Sequence, residues 1–308
     1  MLSLNGINYS VNWVSFMNLF FKNLEGAYAP NTIKAYRSDF EHYAQWCKSN
    51  QYEIDDIDGA LFSQYVSDMG ETLSTATIRR RVASISSVLR LMEKNDPTTA
   101  TDVVLTLKRI HRKLGRAQKQ AAPLTQSILF KLQAVCTDDL LGMRDKLLLQ
   151  LGYESMRRRS EICAFTFEDI QRLPNGNYAL LLRKSKTDQY GEGKIIPVSH
   201  TLKAMIDEWS VTIDQNTGRI LRSLWRGHRV KDCLKPETIN RVLKRLQKSA
   251  RLHDIDELSG HSFRVGAAID LLERGVSLEK IMLRGGWKSE TTAMRYLRNW
   301  RDDDLLLF

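Results

Sequence analysis

Nowhere in the 308 residues does an apolar run approach the roughly 20 residues that a membrane-spanning helix needs. The opening MLSLNGINYS has neither the basic n-region nor the apolar h-region of a secretion signal. Both absences point to a cytoplasmic protein. Cysteine is sparse too. Cys47, Cys136, Cys163 and Cys233 lie far apart and form no C-x-x-C pair, so a disulfide frame and a zinc site are both excluded, and reduced, mostly buried thiols are expected. No carboxylate cluster suits Mg²⁺. No segment of the first 115 residues reads as a strand. Acidic residues thin out between Arg79 and Lys119, where three face eleven Lys or Arg, in a chain of net charge +10.

That imbalance makes a polyanion the expected partner, and its concentration on particular helices favours a nucleic acid over a merely solvated basic surface. Trp13, Phe16, Phe20 and Leu24 recur at helical spacing, as do Ile33, Tyr36, Phe40, Tyr43 and Cys47 after a cap at Asn31 or Thr32. A third helix runs from Asp58 to Gly70. A fourth, capped by Ser74 or Thr75, carries Ile78, Val82, Ile85 and Leu89, and a fifth begins at Thr101. Residues 1–115 are therefore expected to form a helical bundle. Arg79, Arg80 and Arg81 in the fourth helix, and Lys108, Arg109, Arg112, Lys113 and Arg116 in the fifth, oppose the apolar faces. Charged helix faces are by default solvated. Here few carboxylates stand at i,i+4 to pair with them, which fits phosphate contacts better.

Small and polar residues break the pattern at 115–125, GRAQKQAAPLT. Residues 116–124 read as a linker, since the nine residues from Gly115 to Pro123 can stretch about 30 Å, enough for two halves to grip a duplex from opposite sides. From 125 onward a second domain is expected, mainly helical. Its exception is a small β-hairpin, with NYALLLRKSKT as one strand and KIIPVSH as the return. Pro236–Ala250 reads as an amphipathic helix whose Arg241 and Lys244 could lie on DNA.

His261 and Arg264 stand one helical turn apart, ahead of an apolar face of Val265, Ala268, Ile269 and Leu272. Gly275 ends that helix, Gly285-Gly286 turns the chain to Trp287, and Ser289 can cap a final helix carrying Tyr296. Upstream, Arg158 precedes Glu161 by three residues, by default a local ion pair, and Lys186 lies near the hairpin tip with Lys184 as a competitor. Each residue alone is more often structural. Together the segments R-R-S-E (158–161), S-K-T (185–187), H-S-F-R-V-G-A-A (261–268), G-G-W (285–287) and M-R-Y-L-R-N (294–299) resemble the tyrosine site-specific recombinases of the phage integrase type. Within these the Cre type is most similar, because Trp287 stands where many members have His.

The resemblance covers nearly the whole chain. It implies a SAM-like core-binding helical domain followed by a catalytic domain, closing on DNA as a clamp. It implies Tyr296 as the nucleophile that bonds to the DNA 3′ phosphate and frees a 5′-hydroxyl. Arg158 and Arg264 would neutralise the developing charge, and His261 and Trp287 would hydrogen-bond to the non-bridging oxygens. Lys186 is the candidate acid for the 5′-oxygen, and Glu161 would orient its neighbours. No cofactor, metal or ATP is needed on this reading. Inverted half-sites in double-stranded DNA, four protomers on two sites and a Holliday-junction intermediate follow from the family alone, as does a bacterial, phage or plasmid source. A telomere resolvase or type IB topoisomerase would share the chemistry, and a DNA-binding protein with a dead site is the reading of another class. Twelve residues follow Tyr296, and their apolar close, Leu305–Phe308, is expected to pack in cis or in trans.

Overall fold

A computed structural model describes residues 9–115, 120–183, 193–225 and 229–297, with the backbone alone at 9–14 and 55. Lys186, Lys184, Arg116 and the tail Leu305–Phe308 lie outside these residues. The chain divides into two units, Met1–Lys119 and Gln120–Phe308.

The first unit is helical throughout its described residues apart from short turns. It comprises α1 (Tyr9–Asn23), α2 (Pro30–Ser49), α3 (Gly59–Thr72), α4 (Thr75–Leu91) and α5 (Thr101–Leu114). Asp58 and Ser74 cap α3 and α4, accepting from the Leu61 and Thr77 backbone N–H groups. The expected cap of α2 at Asn31 or Thr32 is corrected to Ala29. Pro30 occupies the first turn, where its missing N–H costs nothing, and no side chain caps the end. Tyr43, Phe62 and Tyr65 meet with ring centroids 5.3–5.5 Å apart and form the centre of the core with Phe40, Ile78 and Ile85.

In the second unit α6 (Gln126–Ala134), α7 (Leu140–Ser155) and the single turn α8 (Arg159–Ile162) precede an antiparallel sheet. This sheet is ordered β1 (Ile170–Arg172), β2 (Tyr178–Leu182), β3 (Lys194–Val198), with Leu180 opposite both Ile170 and Ile196. The expected hairpin is β2–β3. The strand β1 was not expected, its three residues being too few to show an alternation. Then follow α9 (His200–Thr212), the short pair β4 (Leu224–Trp225) and β5 (Arg229–Val230), α10 (Pro236–Ser249), α11 (Ser262–Glu273), α12 (Leu278–Gly285) and α13 (Glu290–Leu297).

Every side of α11 from Ser262 to Asp270 is buried, which makes it the axis on which this unit is built. Phe263 packs into the larger core with Leu148, Leu151, Trp209 and Leu243, while Val265, Ala268 and Ile269 face α12 and α13 with Met156, Ile281, Ala293 and Leu297. The segment from Gln120, assigned above to the linker, is seated in this unit. Ala122 and Leu124 are buried, and the Leu124 N–H donates to the Ser262 carbonyl at 3.0 Å. Gly266 permits this, because a Cβ there would fall 2.0 Å from the Leu124 carbonyl.

Candidate active site

Three chain reversals bring the candidate residues of the second unit together. The first is the end of α7, where Met156 adopts the left-handed conformation (φ 52°, ψ 32°) in a place glycine usually fills. Arg157 and Arg158 follow directly. Glu161, buried, accepts from the Arg158 backbone N–H (3.1 Å) and from its Nη1 (2.9 Å), so the default ion pair is formed and also ties the start of α8.

The second reversal is the start of α11. His261 is its N-cap residue and is exposed, while Arg264, one turn on, is 1 % exposed. The Arg264 guanidinium bridges the other two reversals. Its Nη1 donates to the Met156 carbonyl (2.8 Å) and its Nη2 to the Gly285 carbonyl (3.0 Å). The third reversal is Gly286 in the left-handed region (φ 67°), after which Trp287 is buried. The Trp287 and Tyr296 rings lie against each other in a tilted arrangement, centroids 4.9 Å apart and planes inclined by 30°. Arg264 sits 5.0 Å from the indole centroid and 5.8 Å from the phenol centroid. Ser289 caps α13 through the Thr292 N–H (3.3 Å), which sets the helix carrying Tyr296. Tyr296 is half-buried, and its carbonyl accepts from Gln120 Nε2 at 2.6 Å.

The site is strongly cationic. Burial, and then the charge of Arg158, pull Arg264 below the usual guanidinium range, against the opposing effects of Tyr296 and Glu161. Though His261 is exposed as a residue, desolvation by its neighbours, then the charges of Arg264, Arg159 and Arg158, lower it from its ordinary value, which favours the neutral ring that can accept a proton. Among the described residues, Arg264 Nε and Trp287 Nε1 are buried with no hydrogen-bond partner. Unpaired buried donors beside clustered guanidiniums suit an acceptor-only anion.

Arg158, Glu161, His261, Arg264, Trp287 and Tyr296 are thus brought to one place, while Lys186 falls outside the described residues. Sequence reasoning passed over four neighbours. Arg157 is buried here, Lys194 on β3 donates through Nζ to the Leu283 carbonyl, and Arg284 Nη2 donates to the Glu154 carbonyl at 2.8 Å. Gln120 is the fourth. Burial, then Arg157 and Arg264, lower the Lys194 pKa. None had a periodic or spacing signal that set it apart from ordinary basic or polar residues.

Of the residues expected to bind DNA, Arg79, Lys108 and Arg112 are exposed on the first unit. Arg80, also exposed, is in direct contact with buried Asp39, and half-buried Arg81 has its Nε 3.8 Å from Asp39 Oδ1. On α10, Arg241 is exposed and donates to Thr238 Oγ1 (3.0 Å), and Lys244 pairs with Glu257 (2.8 Å). Among the described residues no group of His, Cys, Asp or Glu could hold a metal ion, and no helix is long and apolar enough to cross a membrane.

Residues 122–301 match the phage integrase family and residues 17–95 the N-terminal SAM-like domain of phage integrases. An integrase/recombinase xerD homolog of Selenomonas ruminantium is 27% identical over 291 residues, 90% of this chain and 84% of that protein. Recombinase cre of Escherichia phage P1 is 25% identical over 294 residues, 89% and 85% of the two chains. Likeness to Cre and to the Xer type is therefore of the same order. Two solved structures share the fold. One is XerH site-specific recombinase bound to palindromic difH substrate in a post-cleavage complex, with TM-score 0.70, 16% identity and 94% and 82% coverage. The other is a lambda integrase tetramer bound to a Holliday junction, with TM-score 0.68, 18% identity and 94% and 77% coverage.

Proposed function

This chain belongs to the phage integrase family of tyrosine recombinases, and on that premise we propose how its residues cut and rejoin double-stranded DNA at a specific site. The observation that carries the reading is the contact of the Arg264 guanidinium with the Tyr296 and Trp287 rings, beside buried donors that lack a partner. A phosphodiester resists attack because its oxygens are anionic, and charge grows as a fifth oxygen approaches phosphorus. Arg158 and Arg264 neutralise that charge, and their fixed hydrogen bonds keep them in place before the reaction begins. Tyr296 Oη attacks phosphorus while its proton passes to neutral His261. The bond from phosphorus to the 5′-oxygen breaks, and Lys186 supplies the proton that this leaving group needs.

The product is a 3′-phosphotyrosyl bond, which holds the energy of the broken diester, so the reverse step with a second strand's 5′-hydroxyl rejoins DNA without ATP. Trp287 Nε1 donates to a non-bridging oxygen, and Glu161 holds Arg158 rather than moving protons. Exposed Arg79, Lys108, Arg112, Arg241 and Lys244 contact phosphates, and sequence choice rests on base contacts and DNA shape. Four protomers acting on two inverted-repeat sites would pass through a Holliday junction, the type of DNA held by the lambda integrase tetramer. The N-terminal residues 1–115 would bind the core site and residues 125–308 carry the chemistry, in the cytoplasm of a bacterial, phage or plasmid host.

Selection from a random duplex pool gives the target sequence. Two tandem copies on a plasmid then test the reading. Wild type excises the segment between them, and Tyr296→Phe does not. Relaxation of a supercoiled plasmid lacking the site, without excision, would instead favour a type IB topoisomerase.

A further inference from the structure

Arg157 is 3 % exposed, and its guanidinium has no carboxylate partner within ion-pair distance among the described residues. Nε donates to the Ser155 carbonyl (2.8 Å), whereas Nη2 is fully buried with no partner among the described residues. Charge buried in this way is costly unless something of opposite sign arrives. Among the described residues the carboxylate that acts on Arg157 is Glu161, whose Oε1 and Oε2 both accept from Arg158.

Geometry ties Arg157 to the site. It follows Met156, whose carbonyl holds Arg264, and its Nη1 lies against Gly286, next to the Gly285 carbonyl that also holds Arg264. A Cβ at Gly286 would fall 2.8 Å from that nitrogen, so the absence of a side chain there makes room for the guanidinium. Arg157 and Arg264 therefore rest on the same two reversals. Three buried N–H donors without acceptors among the described residues, Arg157 Nη2, Arg264 Nε and Trp287 Nε1, gather around the turn at 285–287. A tetrahedral or trigonal-bipyramidal oxyanion offers several acceptors and no donors.

We propose that Arg157 is a third guanidinium of the phosphate site, acting with Arg158 and Arg264 on the scissile phosphate. The negative charge on the phosphodiester rises from one to two once a tyrosinate has added to phosphorus, so a further guanidinium beside Arg158 and Arg264 stabilises the transition state more than the ground state. A purely structural Arg157, pinning the end of α7 to the turn at Gly286, would need no anion.

The inference rests on the reading of the site given above, and the test separates the two. Thermal melting of the full chain is followed with and without orthovanadate, a bipyramidal phosphate mimic, at equal ionic strength. Wild type should melt higher with vanadate. Arg157→Met should melt at or above the wild-type temperature without vanadate, because an uncompensated charge is removed, and should gain at least tenfold less apparent vanadate affinity. Arg157→Lys keeps the charge but not the fork, and serves if the Met variant does not fold. Its vanadate affinity should fall several-fold. Undiminished vanadate affinity in the Arg157 variants, while Arg158→Met loses it, would overturn the role of Arg157 and leave the site intact. A wild type that ignores vanadate would overturn both readings.

Discussion

Glu161→Gln isolates the one negative charge among the guanidiniums. The carboxylate is buried and pairs with Arg158 at 2.9 Å, while the Arg158 side chain is 29 % exposed. Removing one partner of a fully buried pair costs about 3–5 kcal/mol. Here Gln keeps one acceptor and water reaches Arg158, so a loss of about 2 kcal/mol is expected. For a unit of this size that lowers the melting temperature by about 4–8 °C. The freed guanidinium also loses its orientation, and single-turnover formation of the covalent protein–DNA adduct should slow about tenfold, a barrier change of ~1.4 kcal/mol. Affinity for DNA should hold or tighten, because the site becomes more positive. Calorimetry, gel shift and a timed SDS-gel assay on a nicked target duplex measure the three quantities. A variant that melts and cleaves like wild type would refute the claim that Glu161 holds Arg158. Weaker DNA binding with unchanged cleavage would refute it as well.

Four other expectations concern charge. The His261 pKa is lowered on folding, so the unfolded chain takes up this proton first, and stability from this group falls as pH drops below its ordinary value near 6.5. An NMR titration of the free protein should place His261 below 6.5 and find it raised by bound DNA, and a free-protein value above 6.5 would contradict the site's electrostatics. Lys186→Ala should cleave ordinary DNA slowly and regain speed when sulfur replaces the 5′-bridging oxygen, because a thiolate leaves without a proton. No recovery would remove Lys186 as the acid. Arg79→Ala, Lys108→Ala and Arg112→Ala should each reduce the salt dependence of DNA affinity by about one unit of log–log slope. Arg81→Ala, which faces buried Asp39, should lower the stability of the first unit while leaving that slope unchanged.

Much of this was legible because helix signals and site signals coincide. Asp58, Ser74 and Ser289 announce helix starts in local chemistry; Tyr296 follows the last of these on α13, Arg264 stands one turn after His261 at the start of α11, and Trp287 follows the Gly285-Gly286 turn that ends α12. What stayed hidden was decided by contacts far apart in the chain. Arg80 and Arg81 look like a basic face until Asp39, some 40 residues earlier, is folded beneath them. The residues at 120–124 read as linker, yet Ala122 and Leu124 are buried, Leu124 with its backbone against Gly266 of α11. Arg157 is one of three consecutive arginines. It is buried after the left-handed Met156, which no sequence rule assigns to methionine, and against Gly286 far along the chain.

The most direct measurement is the identity of the residue joined to DNA. Wild type trapped on a nicked copy of its selected site, then digested and sequenced by mass spectrometry, should carry the nucleotide on Tyr296 through a 3′ phosphate. Tyr296→Phe should bind the same DNA and yield no adduct. An adduct on another residue, or one that persists in Tyr296→Phe, would contradict the account.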